Sequence, residues 1–331
     1  MQTSAARLGI LGMALIGLTA MWAPASVAAD TDYPSKPVKI VVASAAGGIL
    51  DTVARQVALG LSVNTGQQFI VENKPGAGGI IGTEIVAKAA PDGYTAGHIA
   101  TSHAINPSVY AKLPYDTMTD LAPVTQTVNL TNLLVVKPDL PANNLRELIA
   151  LAKAQPGKLT FGSAGVGQSN HLSGEMLKQM ANIDIVHVPY KGSAPALTDL
   201  LTGTISMLFV DALSVTPHIK AGRLKVIAAT GLQRSKALPD YPTLNESGLP
   251  GFNGNSWLGL VLPGNTSPAI VQALSKEAAR VLNTPEVRDR LLSQGVEPVG
   301  STPQEFRAFI IKEMERYAQA AKAAGITPQQ Q

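Results

Sequence analysis

No cysteine occurs in the 331 residues. Disulfides, thiolate metal sites and cysteine nucleophiles are thereby excluded. Aromatic residues are scarce, at 5%, so the core must be built from Ala, Val, Leu and Ile. Charged residues make up 15% against 45% hydrophobic. That balance is globular and excludes a charge-rich disordered chain. Nowhere do Lys and Arg cluster in a run, and the formal net charge is only +3. Such a chain has no general field for nucleic acid, and no nucleic-acid partner is expected. Past the N-terminal segment no stretch holds 18 unbroken apolar residues, so the mature chain is expected to be soluble.

What is present begins with that N-terminal segment. Arg7 supplies a positive start, and Leu8 to Ala20 is an apolar run interrupted only by Gly. Small residues then follow at Ser26-Val27-Ala28-Ala29. This reads as a secretory signal peptide over residues 1–29, cut after Ala28 or Ala29, and as too short for a permanent span. The mature protein is expected in the periplasm. No Cys follows the apolar run, so lipid attachment there is excluded. The length suits one large domain or two medium ones.

Beyond the leader, strands and helices alternate. Val38 to Val42 reads as a buried strand, and Val53, Val57 and Leu61 mark a helix at i, i+4, i+8. Gln68 to Val71 and Tyr94 to Ala100 read as strands around a helix over Thr83 to Ala89. The second half repeats this grammar. Asn144 and Glu147 suggest a capped helix carrying Leu145, Leu148 and Ala152 inward. Strands are expected at Leu159 to Phe161, Ile185 to Val188, Ile205 to Phe209 and Leu224 to Ala229. The helices between them carry Leu172, Met176 and Met180, then Leu197, Leu200 and Leu201 behind a Ser193 cap. Near the C-terminus, Ser267-Pro268, Thr284-Pro285 and Thr302-Pro303 read as caps followed by Pro at the first helical position. Phe306, Ile310, Met314 and Tyr317 form an inward stripe.

The fold class expected is α/β, with largely parallel sheets flanked by helices. Two extended segments, Val124 to Val136 and Asn255 to Leu262, read as crossovers between halves. Two crossings make two lobes able to close like a clamp. The expected division is residues 30–127 and 256–331 for lobe 1 and 128–255 for lobe 2.

Most motifs that could carry chemistry fail on inspection. Asn73 to Gly82 follows a strand and is glycine-rich, as a dinucleotide site requires. The Lys74-Pro75 insertion lengthens the turn, and no acid ends the next strand for a ribose. No cofactor is expected. A Gly-Lys-Ser/Thr phosphate loop is absent. Gly162-Ser163-Ala164-Gly165 is no nucleophile elbow, because Phe161 stands where Gly is needed. The histidines at 98, 103, 171, 187 and 218 have no metal spacing, so no metal site is expected. Asp51 and Arg55, at i, i+4, read as a helix start with a surface ion pair. Asp211 follows an apolar strand at the end where ligands sit in open α/β sheets. It reads equally as a loop cap or a ligand residue.

Three loops remain at strand ends before helices: Ala45 to Ile49, Thr101 to His103, and Ser163 to Gly167. Free N–H groups and the helix dipole favour an anion there, without Arg. No catalytic partner accompanies them, so no enzyme activity is expected.

Four stretches give a family resemblance over the whole mature chain. They are Val71 to Gly79 with Ala87 to Thr95; Ala152 to Lys158 with Gly162 to Gly167 and His171-Leu172; Val188 to Gly192 with Pro195 to Leu201; and Ile219 to Gly222 with Ala228 to Thr230 and Pro239 to Thr243. The chain resembles the Bug-type (UPF0065) extracytoplasmic solute receptors, the binding components of tripartite tricarboxylate transporters. The resemblance implies a two-lobe, type II-like periplasmic binding fold, with no cofactor and a small carboxylate ligand. It implies ligand contacts at Ala46, Gly47, Gly48 and Asp51 in the first loop and at Ser163 and Gly165 in the second lobe. Asp211 maps to the family's acidic position, and Thr101 and Ser102 complete the set from the loop reading. The implied partners are membrane transporter subunits, or a membrane sensor kinase if the receptor signals; a monomer is expected. One departure stands out. The family's first loop carries two prolines and an aromatic, where this chain has Ala43-Ser44-Ala45-Ala46. A less rigid loop and a smaller pocket wall follow.

Overall fold

A computed structural model describes residues 33–328. The expected signal peptide over residues 1–29, with its cut, lies outside the described residues. The chain runs β1 (Val38–Val42), α1 (Ile49–Thr65), β2 (Phe69–Asn73), α2 (Ile80–Ala87), β3 (Thr95–Ala100), α3 (Ser102–Val109) and β4 (Leu121–Leu130). It continues with β5 (Asn132–Val136), α4 (Leu145–Ala154), β6 (Thr160–Ser163), α5 (Ser169–Ala181), β7 (Val186–Pro189), α6 (Ser193–Thr202), β8 (Met207–Asp211), α7 (Ala212–Lys220) and β9 (Lys225–Ala229). It ends with β10 (Ser256–Pro263), α8 (Pro268–Asn283), α9 (Pro285–Ser293), β11 (Val296–Pro298) and α10 (Pro303–Ala323).

Two sheets result, ordered β11-β4-β10-β3-β1-β2 and β7-β6-β8-β5-β9. Each is flanked by helices and forms one lobe. The expected parallel character needs correction: both sheets are mixed. β1 pairs in parallel with β2 and β3, but β10 is antiparallel to β3 and β4, and β11 to β4. In the second sheet β6 is parallel to β7 and β8, while β5 is antiparallel to β8 and β9. The physical reason is the crossing. A strand entering a lobe from its neighbour arrives without a helical crossover, so it need not share the direction of the βαβ units. The first crossing, Val124 to Val136, is two strands in different sheets, broken at Thr131.

The side-chain alternation of strands explains the burial. Val38, Ile40 and Val42 pack on one face with α1 and α8, whereas Val41, Ile99 and Val261 join the opposite face. In β5, Leu134 and Val136 enter one core and Leu133 and Val135 the other. Each such buried side chain contributes roughly 1.5–3 kcal/mol.

The caps follow the sequence closely. Ser267 and Thr302 accept from the backbone N–H groups of Ile270 and Glu305, and Thr302–Glu305 closes a full capping box. Three readings need correction. Ser193 is the first residue of α6 rather than its cap; Gly192 holds that position, with no side-chain bond. Met180 is 38% exposed, and Leu177 takes the inward position. The helix expected over Thr83 to Ala89 begins earlier, at Ile80, behind a single 3-10 turn at Ala77–Gly79.

One close approach prepares the second lobe's site. A Cβ on Gly174 would lie 2.1 Å from the Phe161 ring. Only glycine lets α5 settle on β6 at this distance.

Candidate ligand cleft

The loop after β1 is held from below by Asp51. Its carboxylate accepts from the Gly47 N–H (2.9 Å), Arg55 Nε (3.0 Å) and Asn73 Nδ2 (2.9 Å). Asn73 Nδ2 also donates to the Ser44 carbonyl (3.1 Å), and its Oδ1 accepts from Arg55 Nη2 (3.0 Å). Burial alone would raise the Asp51 pKa. The hydrogen bonds from Arg55, Gly47 and Asn73 and the Arg55 charge outweigh it and hold the group at about 2. Asp51 is 3% exposed, so the expected surface ion pair is a buried carboxylate with its acceptors taken. It shapes the loop while Ala46, Gly47 and Gly48 stay exposed at its tip.

Thr101, at the end of β3, is buried. Its hydroxyl accepts from the Trp257 N–H (2.8 Å) and donates to the Trp257 carbonyl (3.3 Å). This fastens β3 to β10, and Ser102 then opens α3 on the cleft.

In the second lobe the loop after β6 is folded around Ser163, which is fully buried. Ser163 Oγ accepts from the Gly165 N–H (3.1 Å), donates to the Gly165 carbonyl (3.1 Å) and meets His187 Nε2 at 2.6 Å. Gly165 and Gly167 take φ of 139° and 79°, conformations that favour glycine. Asn170 Oδ1 accepts from the Ala164 N–H (3.1 Å). Asp211 caps α7: it accepts from Ser214 N (2.9 Å) and from Ser214 Oγ (2.9 and 2.8 Å).

Thr101, Ser102 and Asp211 come together in one cavity of about 180 Å³. Ile49 and Leu50 from the first lobe face Gln168, Ser169, Asn170 and Ser193 from the second, with Asn132 and Ser256 between them. A neighbouring cavity of about 290 Å³ shares Leu50, Ala100, Ser102 and Gln168 and reaches Ala43 and Gly76 to Gly79. Ala46, Gly47, Gly48, Asp51, Ser163 and Gly165 do not line either cavity; they belong to the two loops that carry the lining helices. A further cavity of about 320 Å³ shares only Ser256 and Trp257 with the cleft and carries charge of both signs, from Arg234, Lys236, Glu297 and Glu313.

The electrostatics of the cleft are set by helix ends. The starts of α1, α3, α5 and α6 and the cap of α7 all contribute lining residues. The starts of α1, α3, α5 and α6 present the positive end of a helix dipole, whereas at α7 the Ala212 N–H goes to the Thr131 carbonyl and the Ser214 N–H to Asp211. No Lys or Arg lines the cleft or its neighbour, and Asp211 is the single acidic residue in their linings. His103, in the neighbouring cavity, is buried, and desolvation lowers its pKa to about 4, so it is neutral. The arrangement suits an anion held by backbone donors, hydroxyls and amides.

Sequence reasoning missed Asn132, Asn170, Gln168, Ser193 and Ser256. Asn132 bridges the lobes' junction: its Nδ2 donates to the Gly254 carbonyl (2.8 Å) and to Ser256 Oγ (3.0 Å). A lone amide opening the run Asn132-Leu133-Leu134-Val135-Val136 is the signal that could have found it. Among the described residues no group of three or more His, Asp or Glu is placed to hold a metal, and no helix is long and apolar enough to cross a membrane.

Comparison with known proteins sharpens the picture. Residues 53–326 match the family described as tripartite tricarboxylate transporter family receptor. The chain is 36% identical to the protein BugT of Bordetella pertussis over 303 residues, 91% of this chain and 93% of that one. It is also 36% identical to a UPF0065 protein of Cupriavidus necator, covering 98% of each. Among solved structures, an R. palustris protein with adipate aligns with TM-score 0.81 at 35% identity, over 90% of this chain and all of the other. The periplasmic binding protein BugD gives 0.77 at 35%, covering 90% and 100%. MatC from Rhodopseudomonas palustris, with bound malate, gives 0.75 at 30%, covering 87% and 99%.

Proposed function

We propose, from the premise that this chain belongs to the tripartite tricarboxylate transporter family of receptors, that it captures a small carboxylate between its lobes and delivers it to a membrane transporter. One observation carries the reading. Four helix starts, those of α1, α3, α5 and α6, converge on a cavity that no Lys or Arg lines, an arrangement that attracts an anion while leaving it exchangeable. The adipate and malate bound by the two R. palustris relatives support the same chemical class.

The ligand's carboxylate would take N–H groups from α1 and α3 on one lobe and from α5 and α6 on the other. Ala46, Gly47, Gly48 and Asp51 would shape the first wall, and Ser163 and Gly165 the second. Thr101 would hold Ser102 in position. Asp211, through the α7 start, would lie at the rim. Contacts to both lobes exist together only when the lobes are closed, so ligand shifts the population toward that state. The moving bodies would be residues 30–127 with 256–331, and residues 128–255. The chain would act after export, with residues 1–29 removed, as a monomer and without turnover.

A thermal-shift screen of residues 30–331 against mono-, di- and tricarboxylic and aromatic acids tests this. An acid at about a hundredfold over its Kd adds roughly 2.7 kcal/mol of stability. A raised Tm with one class of acid supports the reading. Stabilisation by neutral or cationic solutes, with none by any acid, overturns it.

A further inference from the structure

Below the second lobe's glycine loop lie two imidazoles that the anion site itself does not use. The rings of His171 and His187 stack with centroids 3.9 Å apart and 24° between planes. Phe161 lies against both, at 6.3 Å from His171 and 5.0 Å from His187. Gly174 makes this possible, because any side chain there would meet the Phe161 ring. Each imidazole then holds one end of the loop. His171 Nδ1 accepts from the Gly167 N–H (3.1 Å). His187 Nε2 meets Ser163 Oγ (2.6 Å), which in turn holds both the N–H and the carbonyl of Gly165.

The donors and acceptors fix the proton of His171. A backbone N–H can only donate, so His171 Nδ1 must be bare and its proton must sit on Nε2. Ser163 Oγ accepts from the Gly165 N–H (3.1 Å) and has one hydrogen for two acceptors, the Gly165 carbonyl (3.1 Å) and the nearer His187 Nε2 (2.6 Å), so the His187 tautomer sets which of them it serves. The loop ends at Gln168, the cap of α5, followed by Ser169 and Asn170 on the cleft wall. Its shape therefore decides where the α5 start points.

We infer that His171 and His187 are positioning residues of the ligand site, holding loop 163–168 in its binding shape only while His171 is neutral. The inference rests on the carboxylate-binding reading for its ligand arm alone. A proton added to His171 Nδ1 would point at the Gly167 N–H and break that bond. The stacked partner at 3.9 Å opposes a second charge on His187. The neighbouring charges are few. Glu175 Oε1 lies 3.9 Å from His171 Nε2, with its own pKa raised by burial and Lys178 acting on it. From α10, which packs on α5, Glu313 and Arg316 are already paired with each other. Burial, the largest cause for both rings, lowers each imidazole to about 4, with His187 adding to the effect on His171.

Nuclear magnetic resonance of the protein without added acid tests the loop directly. The His171 ring nitrogens should report the Nε2–H form at neutral pH. Protection of the Gly167 amide from exchange should then collapse as the ring takes up its proton. In the His171→Asn variant Oδ1 replaces Nδ1 as acceptor, so Gly167 should stay protected to the same low pH. The binding arm uses adipate as probe. The wild-type Kd, divided by that of His171→Asn at the same pH, should rise about twofold between pH 7 and pH 4 and about tenfold by pH 3, as the neutral fraction of His171 falls; adipate's own protonation cancels in the ratio. His171→Phe keeps the stack without the acceptor and should weaken adipate at every pH. Gly167 protection unmoved by His171 titration, or an unchanged acid step in His171→Asn, overturns the inference. Failure of adipate to bind while the Gly167 result holds would count against the carboxylate reading and leave the loop mechanism standing.

Discussion

The loop before α1 and the loop before α5 do the same work in the two lobes, each carrying a helix start to the cleft. They are built from different chemistry. The first is tied to an ionised carboxylate, Asp51, by Gly47, Arg55 and Asn73. The second is tied to neutral groups, Ser163, His171 and His187. A charged lock with several donors survives acid, because its partners keep it ionised to about pH 2. A lock of buried imidazoles fails earlier, because the unfolded chain binds protons that the folded site refuses. Equivalent positions can thus respond to one variable in opposite order.

The largest expected effect comes from breaking the second lock at its base. Gly174→Val drives a side chain into Phe161 and should cost about 3 kcal/mol, by denaturant unfolding. The loss of protection should begin in the second sheet. Next comes the first lock. Asp51→Ala leaves Arg55 and the Gly47 N–H without their acceptor and should cost about 2–3 kcal/mol. Asp51→Asn keeps the shape and should cost about half of that.

Acid titration sets the two locks against each other. His98, His103, His171 and His187 each have a pKa lowered from 6.5 to about 4, burial being the leading cause. Between those values the unfolded chain carries protons that the native chain does not. Stability is therefore full above pH 6.5 and is lost as pH falls toward 4. The Asp51 contribution is present above 3.8 and is lost only as pH falls through about 2. Unfolding followed from pH 7 to pH 4 should show exchange rising first at Gly165 and Gly167, with Gly47 still protected. Simultaneous opening of both loops would contradict the comparison.

The smallest effects are at the cleft itself. Asp211→Ala removes the α7 cap and should cost about 1 kcal/mol while weakening acid binding. A Cβ at Gly47 would meet no atom within 4 Å, so Gly47→Leu should mainly strain its φ of 83°, weakening binding without unfolding. Calorimetry on both variants checks this pair, and unchanged affinity in both would remove Asp211 and the first loop from the site.

The sequence made some of this legible and hid the rest for identifiable reasons. Helix caps such as Thr302 rest on contacts within four residues, and this one was read correctly. Strand direction rests on the route of the chain between lobes, so the antiparallel pairing of β10 and β5 left no local mark. Asp51 could be paired with Arg55 at i, i+4, but Asn73 lies 22 residues on and turns a surface pair into a buried lock. His171 and His187 come from a helix and a strand and meet only through Phe161 and Gly174. A glycine in the middle of an otherwise helical run was the available clue. Ser102 and Asp211 could be singled out in the sequence because one opens a helix just after a strand and the other ends a strand, and both line the cleft. Asn132 and Asn170 were missed because each serves a contact remote in sequence or hidden inside a turn.

The central claim is that an acid sits between the lobes on helix starts from both. Titrating the isotopically labelled protein with a dicarboxylate and following backbone amide resonances tests it most directly. The account predicts that Leu50 and Ser102 in the first lobe and Ser169, Asn170 and Ser193 in the second shift together, along one saturation curve. Shifts confined to one lobe, or gathered around Arg234 and Lys236 in the separate charged cavity, would contradict it.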